Sequence, residues 1–226
     1  MTTEQMPAES PSPRAVLAFD ASVLASFGAL LVIVAVLAFW LGARQNLAPS
    51  ASSPDVGFAR DMMRHHAQAV DMATLLRDRT DDPEMRQLAL DIMLTQQAQI
   101  GQMQGWLTVW NLPIASTDPA MAWMGMPAGY SMPGMATREQ INQLAGLKGV
   151  AADGLFLQLM IPHHRGGVIM GQGALERAQQ PQVRRLAQSI VDAQTSEIAY
   201  MQDLLRRKGF PPVPDEPVMN HQNMSP

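Results

Sequence analysis

The sequence predicts an all-α protein, an antiparallel four-helix bundle built from two duplicated helical hairpins and preceded by one apolar helix. Three observations predict this fold. Residues 21–43 contain no charged side chain, a 59-residue segment occurs twice, and apolar residues in each copy recur at three- and four-residue steps, the spacing of one helical face. One hairpin cannot bury its own apolar face, so we expect the two copies to pack together about a pseudo-twofold axis.

The composition limits the classes of function. The chain has 226 residues, of which 47% are hydrophobic and 16% charged, enough for one domain with an accessory segment. A formal charge of −4, with no cluster of Lys or Arg, argues against nucleic acid as a partner. The absence of cysteine excludes disulfides and thiolate metal sites, so the 18 methionines are the only sulfur.

The N-terminal region predicts a membrane anchor. Residues 1–20 have the composition of a disordered leader, and residues 21–43 give about 20 apolar residues, enough to cross a ~30 Å hydrocarbon layer. A cleaved signal peptide is the alternative, but its apolar region is usually about 7–15 residues and follows a basic start, whereas only Arg14 precedes this one. An uncleaved anchor, followed by a linker over residues 44–54, is therefore favoured. Arginines flank the apolar segment on both sides, so the positive-inside rule does not predict which side of the membrane the C-terminal domain occupies.

The internal repeat defines the folded part. A shift of 98 residues without a gap superimposes residues 55–113 on residues 153–211. The shift matches Asp55 with Asp153, Phe58 with Phe156, Met62 with Met160, His65-His66 with His163-His164, Ile92 with Ile190, Gln96 with Gln194, Met103 with Met201 and Leu107 with Leu205. Each copy is therefore predicted to form one helical hairpin.

Start and stop signals place the helices. Asp55 is predicted to cap a helix over residues 55–79, and Asp82-Pro83 to start a second over about 82–110, which Asn111-Leu112-Pro113 ends. Between the copies, residues 114–152 form a Met-rich loop with a short helix from Thr137 to about residue 147, ended by Gly149. The proline-rich residues 212–226 are predicted to be a loose tail.

The histidines supply the candidate site. Four of the five histidines in the chain form the two repeated pairs, and Met62 and Met160 lie one helical turn before them. The second helix of each hairpin adds inward-facing polar and thioether groups, and the twofold axis would bring both sets together. Imidazole and thioether donors without thiolate suit Cu(I), with Cu(II) bound through imidazole. The candidate metal ligands are His65, His66, His163, His164, Met62, Met160, Met103, Met201 and Glu197.

Other interpretations remain for single residues. A histidine on an amphipathic helix is commonly a hydrogen-bonded core residue, and methionine is a good core filler. The Met-rich loop could collect copper or form a lid on the bundle, and Asp55 and Asp153 are better explained as caps than as ligands. The sequence does not support an enzyme, because it lacks Glu-x-x-His, Gly-x-Ser-x-Gly and His-Glu-x-x-His motifs. His221, in the tail, indicates little by itself.

The motif Asp-x-x-Phe-x-x-x-Met-x-x-His-His at residues 55–66 and 153–164, with Gln-x-x-x-Ile-x-x-Met downstream, resembles the bacterial domain of unknown function (DUF) family 305 in two tandem copies. The resemblance covers roughly residues 55–210. It implies a ferritin-like fold and an exported or membrane-anchored domain, and some members of the family are implicated in periplasmic copper binding and copper resistance. The first copy departs from the second by having Gln99 where the second has Glu197.

These observations lead to a functional hypothesis. The chain is expected to be a membrane-anchored, extracytoplasmic, periplasmic or extracellular protein that binds copper for sequestration or delivery. Its partners would be the metal ion and, through one N-terminal helix, the membrane; a homo-oligomer is compatible with the sequence. The alternative is a non-catalytic interaction or pH-sensing module at the cell envelope, whose histidines hold helices together without a metal.

Overall fold

The computed structural model describes residues 21–45 and 48–215 and divides the chain into two compact units, residues 1–47 and residues 48–226. The predicted leader (1–20) and most of the predicted tail, with His221, lie outside the described residues. In the first unit, α1 (Ala21–Gln45) carries apolar side chains that are exposed over residues 22–42. Ser22–Gly42 is long and apolar enough to cross a membrane, a test that an N-terminal signal sequence also passes.

The second unit is helical throughout its regular structure. It contains α2 (Pro54–Arg77), α3 (Pro83–Val109), α4 (Arg138–Gly146), α5 (Gly149–Arg177) and α6 (Pro181–Arg207), and the described residues contain no strand. Helix α2 packs on α3, α5 packs on α6, and the two hairpins meet where α2 packs on α5. The short α4 lies against α2 and α5. The predicted all-α helical bundle is therefore confirmed.

The helix ends follow from local signals. Asp82 accepts a hydrogen bond from the backbone N–H of Glu84 at 2.8 Å, and Pro83 occupies the first turn of α3. The hairpins end alike, because Asn111 after α3 and Gly209 after α6 both adopt positive φ, 55° and 78°. The residue after each donates its N–H to the carbonyl five residues earlier, at 2.8 Å for Leu112 and 2.9 Å for Phe210, which satisfies carbonyls that the helix leaves free.

Three local predictions need correction. Ser53, not Asp55, caps α2; Asp55 lies in the first turn, and its carboxylate accepts the backbone N–H groups of Gln179 and Gln180 at the start of α6. Asp153 lies inside α5 and pairs with Lys208 at 3.0 Å. Gly149 starts α5 rather than ending α4, because its N–H donates to the carbonyl of Arg79 at 2.8 Å, a contact that no local pattern reports.

The core consists of two apolar clusters. The Met62 cluster gathers the first half of α2, the end of α3, the second half of α5 and the start of α6; its members include Val56, Phe58, Met62, Met103, Leu107, Met170 and Ile190. The Met160 cluster gathers the other half of each helix, and its members include Met72, Leu76, Ile92, Phe156, Met160, Met201 and Leu205. Residues that the sequence repeat equates thus occupy opposite clusters, as a pseudo-twofold arrangement requires.

The connection between the hairpins packs on the bundle. Met121 and Met124 are buried in the Met62 cluster; Met124 ends the 3-10 turn Ala122–Met124, and Met121 directly precedes it. The buried carboxylate of Asp61 accepts hydrogen bonds from the backbone N–H of Met121 at 2.7 Å and from the indole of Trp123 at 3.0 Å. Part of the Met-rich connection therefore covers the bundle.

Candidate metal centre

A layer of polar side chains separates the two apolar clusters. Along each of the four long helices, members of the Met62 cluster and of the Met160 cluster flank two polar positions. The layer consists of His65, His66, Gln96, Gln99, His163, His164, Gln194 and Glu197. The four histidines are fully buried, at 0% exposure, which is unusual for a residue with two polar ring atoms.

The first histidine of each pair faces the other hairpin. The rings of His65 and His163 stack across the contact between α2 and α5, with centroids 3.8 Å apart and ring planes inclined by 31°. Neighbouring residues on a helix point about 100° apart, so the second histidine of each pair faces elsewhere. The repeat therefore brings both pairs into one layer, as predicted from the matched depth of the two motifs.

The second histidine of each pair faces the partner helix of its own hairpin. His66 donates from Nε2 to Oε1 of Gln99, and His164 donates from Nε2 to Oε2 of Glu197, each at 2.7 Å. Because an amide or carboxylate oxygen accepts the bond, each ring carries a proton on Nε2, and in the neutral form of the ring the lone pair is then on Nδ1. The two contacts have the same geometry but differ in charge.

Several imidazole nitrogens are available for coordination. His65 donates from Nε2 to the carbonyl of Pro133 at 3.0 Å, which leaves its Nδ1 with the lone pair. Among the described residues, Nδ1 of His65, His66 and His164 and both nitrogens of His163 are buried without a hydrogen-bond partner. Buried polar atoms of this kind normally find a partner, so their concentration in one layer needs an explanation.

Burial keeps the rings of His65, His66 and His163 neutral. Burial lowers the pKa of His65 to about 4, although the hydrogen bond to the Pro133 carbonyl acts to raise it. Burial, and then the neighbouring His65, lower the pKa of His66 to about 3. The same causes hold the pKa of His163 well below its usual range. Neutral imidazole is the form that coordinates metals, so the layer is prepared for coordination at neutral pH.

Two glutamines complete the layer. Gln96 and Gln194 occupy equivalent positions and are almost fully buried. Within the described chain, neither amide atom of Gln96 nor Oε1 of Gln194 has a hydrogen-bond partner. A Cβ on Gly167 would lie 2.1 Å from Oε1 of Gln194, so glycine lets this amide approach α5 one turn after His163. These amides can serve as partners for imidazole N–H groups when a ring rotates.

The candidate methionines lie above and below the layer rather than within it. Met62 and Met103 belong to the Met62 cluster, whereas Met160 and Met201 belong to the Met160 cluster. All four are fully buried, at 0% exposure. Glu197, the remaining candidate ligand, contacts His164 and keeps 29% of its side chain exposed. The structure therefore brings the histidines together and distributes the thioethers symmetrically on both sides of them.

Part of the Met-rich connection covers the layer, which agrees with the lid that the sequence left as one of two alternatives for this loop, although the sequence did not indicate which residues form it. Residues 132–136, here called the strap, contain Pro133, whose carbonyl accepts from His65. Gln68 holds the strap by donating to the carbonyl of Ala136 at 2.9 Å and accepting its N–H at 2.7 Å. A Cβ on Gly166 would lie 2.0 Å from the Pro133 carbonyl oxygen, so the strap requires glycine at this position of α5. The only signals in the sequence are Gly166-Gly167 and Met-Pro-Gly-Met at 132–135.

The donor set fits a soft or borderline metal. Neutral imidazoles with unpartnered nitrogens, flanked by thioether sulfurs, are the donors that copper prefers. In the described part of the chain, no three or more His, Asp or Glu side chains are already arranged to hold a metal ion. Because the central rings stack instead of converging, coordination would require imidazole rotation or the participation of thioethers.

Several solved structures are similar to this chain. A DUF305 protein from Streptomyces coelicolor is 50% identical, with a TM-score of 0.70; the alignment covers 74% of this chain and 100% of that one. A DUF305 fragment from Deinococcus radiodurans is 38% identical, with a TM-score of 0.59, over 70% of this chain and 99% of that fragment.

A further similar structure is CopM in its Cu(II)-bound form, which is 29% identical with a TM-score of 0.54 over 68% of this chain and 96% of CopM. CopM in its Cu(I)-bound form is 27% identical, with a TM-score of 0.53 over the same shares.

An uncharacterized protein of Acanthamoeba polyphaga mimivirus is 38% identical over 53 residues, which are 24% of this chain and 35% of that protein. The model of the family described as "Domain of unknown function (DUF305)" matches residues 55–205, a range that includes nearly all of both hairpins and the strap. Because this match covers about two thirds of the sequence, the chain belongs to the DUF305 family.

Proposed function

We propose that this protein binds copper in the polar layer of its bundle, for sequestration or delivery rather than for catalysis. The observation that carries the proposal is the stacked pair His65 and His163, fully buried and with imidazole nitrogens that have no partner among the described residues. Burying polar atoms without partners costs stability, so a bound ligand is the simplest reason to retain four such rings in one layer.

Two arguments support copper over other metals. The layer offers neutral imidazoles next to buried thioethers and only one histidine-paired carboxylate in the described chain, which disfavours the oxygen-preferring Mg²⁺ and Ca²⁺. CopM, a structural relative, has been solved with Cu(I), Cu(II) and Ag bound. The residues that would hold the ion are His65, His66, His163 and His164, with Met62 and Met160 as the nearest thioethers along the helices.

Metal binding by the second unit tests this proposal. Residues 48–226, expressed without α1, should bind Cu(I) and Cu(II) more tightly than a peptide of the same His and Met content in scrambled order. Affinities can be measured by competition with chromophoric chelators, Cu(I) anaerobically. If the fragment is helical and binds neither ion more tightly than the scrambled peptide, the copper function is wrong.

We also propose that α1 anchors the bundle outside the cytoplasm. The apolar helix is long enough to span a bilayer, its side chains are exposed, and the Streptomyces coelicolor relative carries a provisional description as a secreted protein. A reporter that is active only outside the cytoplasm, fused after Pro226, should be active, and the intact chain should stay in the membrane fraction. A fusion that is produced at full length but has an inactive reporter would contradict an envelope role, and release of a shortened chain would identify α1 as a signal sequence.

A further inference from the structure

The two hairpins differ at one chemically decisive position of the polar layer. Gln99 and Glu197 are equivalent in the repeat, and each accepts a hydrogen bond of 2.7 Å from Nε2 of the second histidine of its hairpin. The bond lengths are equal and both acceptors are half-buried, so the difference between them is the negative charge of Glu197. The two hairpins therefore allow the effect of a charge to be compared with that of an uncharged group of the same shape.

The position of Glu197 behind His164 determines how its charge can act. Its carboxylate accepts from the Nε2 side of the ring, and Nδ1 of His164 is buried without a hydrogen-bond partner in the described chain. A carboxylate that accepts the far N–H of a metal-binding imidazole fixes the tautomer and makes the other nitrogen a stronger donor. Gln99 fixes the tautomer of His66 in the same way but adds no charge.

The charge of the ion decides which metal gains most from Glu197. Placing a cation in a buried layer has a desolvation cost that increases steeply with its charge, and a nearby anion offsets this cost. Gln99, Gln96 and Gln194 supply dipoles only, and the described residues contain no second carboxylate hydrogen-bonded to a histidine. A dication therefore depends on Glu197 more than a monocation of similar donor preference.

We propose that Glu197 sets the oxidation-state preference of the centre. Its charge, acting through His164, permits the binding of divalent copper. The affinity for monovalent copper or silver does not depend on this charge, and the uncharged amide of Gln99 favours neither oxidation state. This inference rests on the proposed copper function and adds to it a specificity-determining residue. Glu197 acts as a positioning and charge-compensating residue behind the ring, and need not contact the ion.

Reciprocal substitutions in the full chain, purified in detergent, test the inference. Glu197→Gln keeps the shape and the hydrogen bond but removes the charge; Gln99→Glu adds a charge at the equivalent position; the double variant moves the charge between hairpins. The control Glu176→Gln removes an exposed carboxylate near the end of α5 that pairs with Arg177. The probes are Cu(II), followed by chelator competition and electron paramagnetic resonance, and Ag(I) as an air-stable monovalent ion.

Glu197→Gln should weaken Cu(II) binding by about tenfold, the lower end of the effects of outer partners, because Glu197 keeps some exposure to solvent. Ag(I) affinity should change by less than about threefold, and the control should change neither. The double variant should recover Cu(II) affinity, since the charge returns to the same layer.

Equal losses of Cu(II) and Ag(I) affinity in Glu197→Gln, or no loss of either, would overturn the inference while leaving the copper function intact. A double variant that fails to recover Cu(II) affinity would overturn it as well. If the unmodified chain binds neither ion, the proposed function itself fails, and this inference fails with it.

Discussion

In the first hairpin, α2 and α3, the second histidine of the pair faces an amide, whereas in the second hairpin, α5 and α6, it faces a carboxylate. The first histidines also differ, because His65 donates to the Pro133 carbonyl of the strap and His163 has neither ring nitrogen bonded within the described chain. The repeat thus fixes the depth and stacking of the rings, while residues outside the repeat or at single positions within it decide what each ring contacts.

The strap shows how a nearly symmetric bundle becomes asymmetric. Gln68 and Gly166 are equivalent in the repeat and lie on α2 and α5. Gln68 holds the strap through two hydrogen bonds to Ala136, and Gly166 makes room for the carbonyl of Pro133 by having no side chain. One copy of the duplicated helix therefore binds the strap and the other accommodates it, so a single connection can cover a twofold layer.

The largest expected effect concerns what the two hairpins share, the neutral histidines. In the folded chain the pKa values of His65 and His66 are about 4 and 3, and that of His163 is also well below 6.5. When unfolded, the same rings titrate near 6.5, so between these values the unfolded state binds more protons and the free energy of unfolding falls as the pH falls. Each ring contributes at most about 1.4 kcal/mol per pH unit, and less where the unfolded ring is only partly protonated, so the three together contribute roughly 3 kcal/mol between pH 6.5 and 5.5.

Urea unfolding of the metal-free second unit from pH 7.5 to 5 measures this dependence. The same series is measured for the His65→Ala/His66→Ala variant, whose free energy of unfolding should fall less steeply on acidification. The contribution of the carboxylates cancels in this comparison, because both proteins contain them. The histidine contribution should be complete above about pH 6.5 and decrease below it. Parallel curves for the two proteins would show that these rings are not held neutral by burial, and an increase in unmodified stability on acidification would favour a pH-sensing role.

A smaller effect is expected where the hairpins differ under the strap. Gly166→Ala places a Cβ 2.0 Å from the Pro133 carbonyl oxygen, which is backbone and cannot rotate away, and should lower the free energy of unfolding by about 1–3 kcal/mol. The matched control is Gly101→Ala at an exposed position of α3, where a Cβ meets nothing within 4 Å. The free energy of unfolding of this control should exceed that of the unmodified protein by about 0.5–1 kcal/mol, because alanine is more stable than glycine inside a helix. Equal stabilities for both variants would mean that the strap does not seat against Gly166.

Much of the fold could be predicted because its signals are local or repeated. The predicted helices over 55–79 and 82–110 match α2 and α3 to within two residues, since Asp82-Pro83 and Asn111 act on their immediate neighbours. The start of α5 was predicted less well, because the role of Gly149 depends on Arg79, a residue distant in sequence. The carboxylate of Asp55, predicted to cap α2, instead accepts backbone N–H groups at the start of α6, which are distant in sequence.

The candidate site could be predicted in part for the same reason. The ungapped repeat places the four histidines at equal depth, and the stacked rings of His65 and His163 show that the first histidine of each pair meets its equivalent. The sequence could not show that the strap covers them, because the carbonyl of Pro133 is a backbone group that every residue type possesses. Nor could it show that the thioethers flank the rings, since methionine also fills cores.

The central claim is that the two histidine pairs form one shared copper centre. Copper titration of the unmodified second unit, His65→Ala/His66→Ala, His163→Ala/His164→Ala and the quadruple variant tests it most directly, with helicity checked for each protein. Because the pairs meet in one layer, each double variant should lose most of the high-affinity binding, and the quadruple variant should lose little more, as coupled groups are non-additive. If each double variant instead loses half of the bound copper at unchanged affinity, the pairs bind independently and the shared centre is wrong.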